Sequence, residues 1–137
     1  MTRTFTAQEA LLAAMVIMGA SGKRMSDAEI SQMVRLVGEL PAFAEATPEV
    51  FARVSEDCTR LLARTEGLED AFTLMRDALP MRLRETAYLL ACEVAAADGE
   101  VLQEELQLLA QMRHGLDLDL LVAGAIERAA RARYQVL

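Results

Sequence analysis

The acidic residues around one Asp-Gly turn are the strongest candidates for chemistry in this chain. The turn is Asp98-Gly99-Glu100, and further glutamates precede and follow it. Carboxylate oxygens are the ligands that hard cations such as calcium or magnesium prefer. The cluster therefore predicts a divalent-cation site, whose candidate ligands are Asp98, Glu105, Glu93, Glu100 and Glu104.

The same turn has a second interpretation that needs no metal. Asp-Gly is a common turn pair, and glutamates at a helix start are stabilised by the helix dipole. An EF-hand is rejected, because the earlier ligand positions of such a loop fall on Val94 and Ala96, inside a predicted helix. A looser cation site and plain turn-and-cap chemistry both stay open on the sequence alone.

Catalytic machinery of the usual kinds is missing from the sequence. His114 is the sole histidine and precedes a glycine at a predicted helix end, and Ser21 has no evident base near it. No glycine-rich phosphate loop, zinc motif or nucleophile elbow occurs. We predict no catalytic residue and a non-enzymatic protein. A small helical enzyme using clustered carboxylates stays as an alternative, because two glutamates can meet in space without a linear motif.

The predicted helices on either side of the acidic turn belong to a segment that resembles an earlier part of the chain, which indicates an internal repeat. Residues 14–22 and 91–99 align with an offset of 77, and residues 25–30 and 101–106 align with an offset of 76. Each copy is an apolar helix, a glycine turn and a second helix with glutamate in its first turn. We expect two pseudo-repeated helical hairpins, over about residues 6–40 and 82–116, joined by middle helices.

Composition predicts an all-α fold: a single-domain helical bundle of about seven helices over residues 1–137. Hydrophobic residues make up 53% of the chain and aromatics 4%, and strong helix formers dominate. Capping boxes are predicted at Thr6 and Ser26, and Gly115 is expected as a C′ cap. The last helix is expected to be capped by Asp117 or Asp119.

The apolar positions predict which faces are buried. The helix after Ser26 places Ile30, Met33, Val34 and Val37 on one face, which we expect to be buried. Both cysteines lie among apolar neighbours and are predicted to be buried thiols rather than a disulfide or a zinc site. Four of the eight methionines, Met15, Met18, Met25 and Met33, lie in the first copy. They either pack in the core or form a thioether surface that accepts a partner helix or a soft metal.

Charge and targeting signals narrow the class of protein. The net charge of −7 argues against nucleic-acid binding and is compatible with a cation or a basic partner. The apolar run over residues 10–20 falls short of the ~20 residues that a membrane-spanning helix needs. The N-terminus has no signal-peptide pattern. We predict a cytoplasmic protein without a membrane span.

The run RETAYLLACEVAAADG over residues 84–99, followed by Glu104-Glu105-Leu106, resembles the TerB-like tellurite-resistance family. The resemblance implies an all-helical cytoplasmic domain linked to tellurite and other chemical stress. It also implies an interaction or sensing role at the inner face of the membrane with partner proteins, and divalent-cation binding by acidic residues at the turns. In the first copy, Ser21 stands at the position of Asp98, so only the second turn carries the acidic set.

These observations together predict a non-enzymatic TerB-like interaction or sensing domain with a protein partner. A divalent cation at the Asp98 turn is its candidate cofactor, and any membrane association would be peripheral and through partners. A purely structural homodimer, built on an exposed apolar helix face, is the further alternative.

Overall fold

Helices account for all the regular structure that is described. The computed structural model describes residues 4–20, 26–97 and 101–137, and within them there are seven α-helices, one short 3-10 helix at Pro41–Phe43 and no strand. The helices are α1 (Ala7–Gly19), α2 (Asp27–Glu39), α3 (Pro48–Leu62), α4 (Gly67–Ala78), α5 (Met81–Ala95), α6 (Gln103–Gly115) and α7 (Leu120–Arg133). The predicted all-α helical bundle is confirmed.

Two helices, α1 and α5, form the centre of the bundle. Every residue of α1 from Glu9 to Gly19 is buried, and its longest packing interface is with α5. Alanines on α5, at positions 87 and 91, are also buried and let the two backbones approach closely. Helices α3 and α4 pack on α1, whereas α2 and α7 pack mainly on α5, and α6 packs on both α5 and α4. The core therefore draws side chains from all seven helices.

The apolar character of α1 reflects burial in protein rather than in lipid. The helix has 13 residues, and a bilayer-spanning helix needs about 20. Within residues 4–20, 26–97 and 101–137, no helix has the length and apolarity that crossing a membrane requires.

Both predicted capping boxes are present. The Thr6 amide donates to Glu9 Oε1 at 2.8 Å, and the Glu9 amide donates to the Thr6 hydroxyl at 3.1 Å. Ser26 and Glu29 make the same pair of bonds at 2.8 and 3.1 Å. Such a cap contributes about 1 kcal/mol to helix stability, so these residues fix where α1 and α2 begin.

The second helix of each predicted repeat has the same length. Helices α2 and α6 both have 13 residues, and α6 begins at Gln103, 76 positions after Asp27. Glu105 accepts the Leu102 amide at 2.9 Å, as Glu29 accepts the Ser26 amide. The duplication itself and the 1–137 extent of the domain stay predictions.

The end of α6 differs from the prediction. Gly115 is not a C′ cap but the last residue of the helix. A Cβ there would lie 2.7 Å from the Phe72 Cβ, so glycine is required for packing against α4. The left-handed backbone falls instead on Asp117, with φ 55°, and Asp119 is the residue that caps α7, accepting the Val122 amide at 3.3 Å.

The buried face of α2 also differs from the prediction. Ile30 and Val34 are 46% and 67% exposed, although Met33 is buried. The helix is rotated so that Gln32 turns inward and donates to the buried Glu93 carboxylate of α5 at 3.4 Å. A polar contact between helices has therefore replaced part of the apolar stripe that the periodicity predicts.

Two glycines give a matched test of this packing. A Cβ at Gly67 would lie 1.5 Å from the Leu61 carbonyl oxygen, which is backbone and cannot rotate away. We expect Gly67→Ala to lower the free energy of unfolding by about 3 kcal/mol or more. Gly38 lies in α2, and a Cβ added there would meet nothing within 4 Å, so Gly38→Ala should raise the free energy of unfolding by about 0.5–1 kcal/mol. Urea denaturation measures both, and equal effects would contradict the packing described.

Candidate functional site

Helices α6 and α7 rest on α5 and leave a groove between them. Its volume is about 380 Å³, within the range of about 300–1,000 Å³ typical of ligand pockets. The groove is lined from α5 by Tyr88, Cys92, Ala95 and Ala96, and the other two helices provide its walls. This groove, within the described residues, is our candidate functional site.

Small side chains are the reason that the groove is hollow. The residues that line its floor and the α7 side include Cys92, Ala95, Ala96, Ala123, Gly124 and Ala130. At the predicted offset of 77, Cys92 and Ala95 correspond to Met15 and Met18, whose side chains are fully buried in the core. On this predicted alignment, buried methionines of the first copy correspond to small groove-lining residues of the second copy.

Apolar side chains at the rim of the groove are exposed to solvent. Val101, Leu106 and Leu120 line it and are 39%, 51% and 70% exposed, and the neighbouring Leu121 is 83% exposed. Single exposed apolar residues are normal on protein surfaces. A group of them that adjoins an apolar cavity is typical of an interaction site.

One end of the groove carries a buried phenol and a carboxylate. The Tyr88 hydroxyl donates to Glu127 Oε2 at 2.5 Å. Burial, and then this hydrogen bond, raise the pKa of Tyr88 well above its usual range, and the nearby Arg113 opposes the shift in part. Tyr88 therefore remains a protonated donor and holds Glu127 against the groove.

The thiol on the floor of the groove is unreactive in character. Burial raises the pKa of Cys92 to about 12, and the negative charges of Glu127 and Glu93 add to that shift. Only the thiolate is a strong nucleophile, so Cys92 acts as a small apolar side chain near neutral pH. Cys58 is also buried, and the two are not joined in a disulfide, as the sequence predicts.

Glu93 is the centre of a polar cluster on the other side of α5. Its Oε2 accepts the Tyr134 hydroxyl at 2.6 Å, and its Oε1 pairs with Arg133 Nε at 2.8 Å. Gln32 from α2 also donates to it and to the Tyr134 hydroxyl. Burial, and then the bond to Glu93, raise the pKa of Tyr134. The cluster ties the end of α7 to α5 and α2, which positions the far wall of the groove.

The structure describes three of the five predicted cation ligands. Glu104 is exposed at the start of α6, Glu105 is fully buried with one oxygen on the Leu102 amide, and both oxygens of Glu93 accept hydrogen bonds within the polar cluster. Asp98 and Glu100 lie outside the described residues. Within the described residues, no group of three or more His, Cys, Asp or Glu side chains could hold a metal ion. The cation site therefore stays a prediction.

The remaining candidate residues lie on the surface, in the core or outside the described residues. His114 is exposed near the end of α6, and Ser21 lies outside the described residues. Met15, Met18 and Met33 are buried in the core, so these three form no thioether surface. Met25 lies outside the described residues.

Sequence reasoning missed the groove and its polar end. Tyr88, Arg113 and Glu127 come from three different helices and share no linear motif. One pattern in the sequence could have indicated the groove. On α7, Leu120 and Leu121 are followed closely by small residues, which are too short to shield the two leucines from solvent. That pattern indicates an exposed apolar surface.

A comparison with protein-family models identifies the family. The model described as tellurite resistance protein TerB matches residues 8–123. The chain belongs to the TerB family. The matched region of this TerB-family chain includes α1 through α6 and the start of α7, so it contains the floor and one wall of the groove. Searches of the curated proteins and of the solved structures found no match.

The polar cluster of the TerB-family chain can be tested at Tyr134. We expect Tyr134→Phe to lower the free energy of unfolding by about 1–2 kcal/mol, because it removes a donor from a buried carboxylate. Urea denaturation of this variant, of Glu93→Gln and of the double variant gives their coupling energy. Additive effects, or a Tyr134→Phe protein as stable as wild type, would contradict the described hydrogen bond.

The pKa of Cys92 predicts how stability depends on pH. The folded-state pKa is about 12 against an ordinary value of 9.0, so the unfolded chain ionises first as the pH rises. The stability contributed by the neutral thiol is complete below pH 9 and is lost between pH 9 and 12, at up to about 1.4 kcal/mol per pH unit. Urea midpoints measured from pH 7 to 11 should fall less steeply for Cys92→Ala than for wild type, and parallel curves would refute the assignment.

Proposed function

We propose that this TerB-family chain is a non-enzymatic interaction domain that binds a protein partner in the groove between α6 and α7. The observation that carries the proposal is the apolar groove itself, with exposed Leu106 and Leu120 at its rim. Burial of such side chains is the main favourable term in protein association. The link to tellurite or chemical stress and the cytoplasmic location follow from the family and are part of the proposal.

The chemistry of the groove favours binding over catalysis. A carboxylate enzyme would place two or more acids of perturbed pKa together in a pocket. Among the residues that line the groove, Glu127 is the sole carboxylate in the described part of the chain. The phenol of Tyr88 and the thiol of Cys92 both have raised pKa values, so neither is activated as a nucleophile at neutral pH.

A divalent cation at the Asp98 turn would add a sensing role to this domain. The residues proposed to hold it are Asp98 and Glu100 from the turn, with Glu104 and Glu105 from the first turn of α6. Glu93 is directed into the polar cluster and is the weakest member of the predicted set. Because α6 is a wall of the groove, a cation that stabilises its start would act on the partner site.

The interaction proposal is tested by filling the groove. A Cβ at Gly124 would meet nothing within 4 Å, so Gly124→Leu adds a side chain to the groove wall without a backbone clash. We expect it to abolish chemical cross-linking to a specific partner in cells of the source organism, as identified by mass spectrometry. Gly38→Leu is the matched control, because Gly38 is also helical with nothing within 4 Å.

The two variants separate the possible results. A partner that is lost in Gly124→Leu and retained in Gly38→Leu supports the proposal, provided that both variants melt within a few degrees of wild type. A partner retained in both variants would show that the groove is not the interaction site. Light scattering on the purified protein tests the homodimer alternative, which predicts twice the monomer mass and a return to monomer in Gly124→Leu.

The cation proposal is tested by thermal melting of metal-stripped protein with millimolar calcium, magnesium or manganese. A cation that binds the folded state alone stabilises it by mass action and so raises the melting temperature. At a hundredfold excess over the dissociation constant, the free energy of unfolding increases by about 2.7 kcal/mol. Asp98→Ala should remove this shift, and Asp27→Ala at the first copy should keep it. The cation proposal fails if none of the three metals shifts the wild type.

A further inference from the structure

We propose that the occupant of the groove is an amphipathic helix of the partner, with apolar residues at positions i, i+4 and i+7 and a basic residue that pairs with Glu127. This inference rests on the proposed function and names the chemistry of its partner. Three features of the groove carry it: the length of its floor, the size of the side chains there and the placement of its charges.

The floor of the groove has the dimensions of two helical turns. Tyr88, Cys92 and Ala96 follow one another along one face of α5, and at 1.5 Å per residue the stripe is about 12 Å long. Three anchors at i, i+4 and i+7 on an incoming helix span about 10.5 Å. A helix laid along α5 can therefore place all three anchors over the floor at once.

The side chains of the floor and walls allow such a helix to approach closely. Gly124 lines the groove without a side chain, and small residues let helix axes approach to the lower end of the usual 8–10 Å. Ala95 and Ala123 are 1% exposed, so the side chains of the incoming helix would reach them and its backbone would not. Leu106 on one wall and Leu120 on the other would then contact the flanks of the incoming helix. An anchor of the size of leucine or methionine would occupy the space that Met15 and Met18 fill in the first half of the molecule.

The charges along α7 determine which charged residues the partner helix should carry. Glu127 lines the groove and accepts the Tyr88 hydroxyl. Arg131 lines it one helical turn further on. A lysine or arginine on the partner beside Glu127, with an acidic residue one turn away beside Arg131, complements both groups. The net charge of −7 attracts a basic segment at longer range.

A displayed library of 18-residue helical peptides tests this partner chemistry directly. Solvent-facing and anchor positions are randomised, the full-length protein is the bait, and Gly124→Leu protein is used for counter-selection. We expect enriched peptides to carry the apolar triad with lysine or arginine next to it. A synthetic peptide of the enriched sequence should bind Gly124→Leu at least about tenfold more weakly than Gly38→Leu, as expected when one central contact is lost.

Two further variants keep the test informative if Gly124→Leu misfolds. Leu106→Asp places a charge on the groove rim and should weaken the peptide about tenfold, whereas Ile30→Asp, 76 residues earlier and similarly exposed, should not. Glu127→Gln keeps an acceptor for the Tyr88 hydroxyl but removes the charge. It should weaken binding about threefold to tenfold and flatten its dependence on salt.

The possible outcomes separate this inference from the proposed function. Enrichment of extended peptides, or of helices without a basic residue, would overturn the inference while a groove-dependent partner still supports the proposed function. Failure of the library to enrich any peptide over Gly124→Leu protein would also overturn it. If cross-linking also shows no groove-dependent partner, both this inference and the proposed function are contradicted.

Discussion

The packing of α1 against α5 is the contact on which the rest of the bundle depends. Helix α1 is buried from Glu9 to Gly19, so it can exist only where other helices cover its whole circumference. Alanines of α5 allow the close approach that covers one side, and α3 and α4 cover the rest. Because α6 and α7 rest on the outer faces of α5, one helix serves both as a core element and as the floor of the groove.

This double use explains the composition of α5 and the asymmetry of the two halves. Its core face carries Ala87, Leu90 and Ala91, whereas the face toward the groove carries Cys92 and Ala95. The side chains that face the groove are too small to fill the space beneath α6 and α7, and the Glu93 cluster ties the end of α7 to α5. The groove therefore follows from the packing of small side chains on α5, and it is the surface on which the proposed interaction depends.

Sequence patterns predicted much of this fold because its determinants are local. The capping boxes at Thr6 and Ser26 and the helix-forming composition depend on residues within one turn of each other. The rotation of α2 could not be predicted, because it depends on Gln32 reaching Glu93, 61 residues away. The requirement for glycine at position 115 likewise comes from Phe72 on another helix. The groove is a gap among three helices, and a gap has no sequence motif of its own.

The central claim is that an apolar groove lies between α6 and α7 on α5, whereas the side chains of α1 are fully packed. Methyl NMR spectra under xenon pressure test it most directly, because xenon binds in apolar space that is large enough to hold it. We predict that the methyl resonances of Leu106, Leu109 and Leu120 shift with pressure, whereas those of Leu11 and Leu12 in the packed core of α1 do not. Shifts in α1 without shifts in the groove, or none at all, would contradict the account.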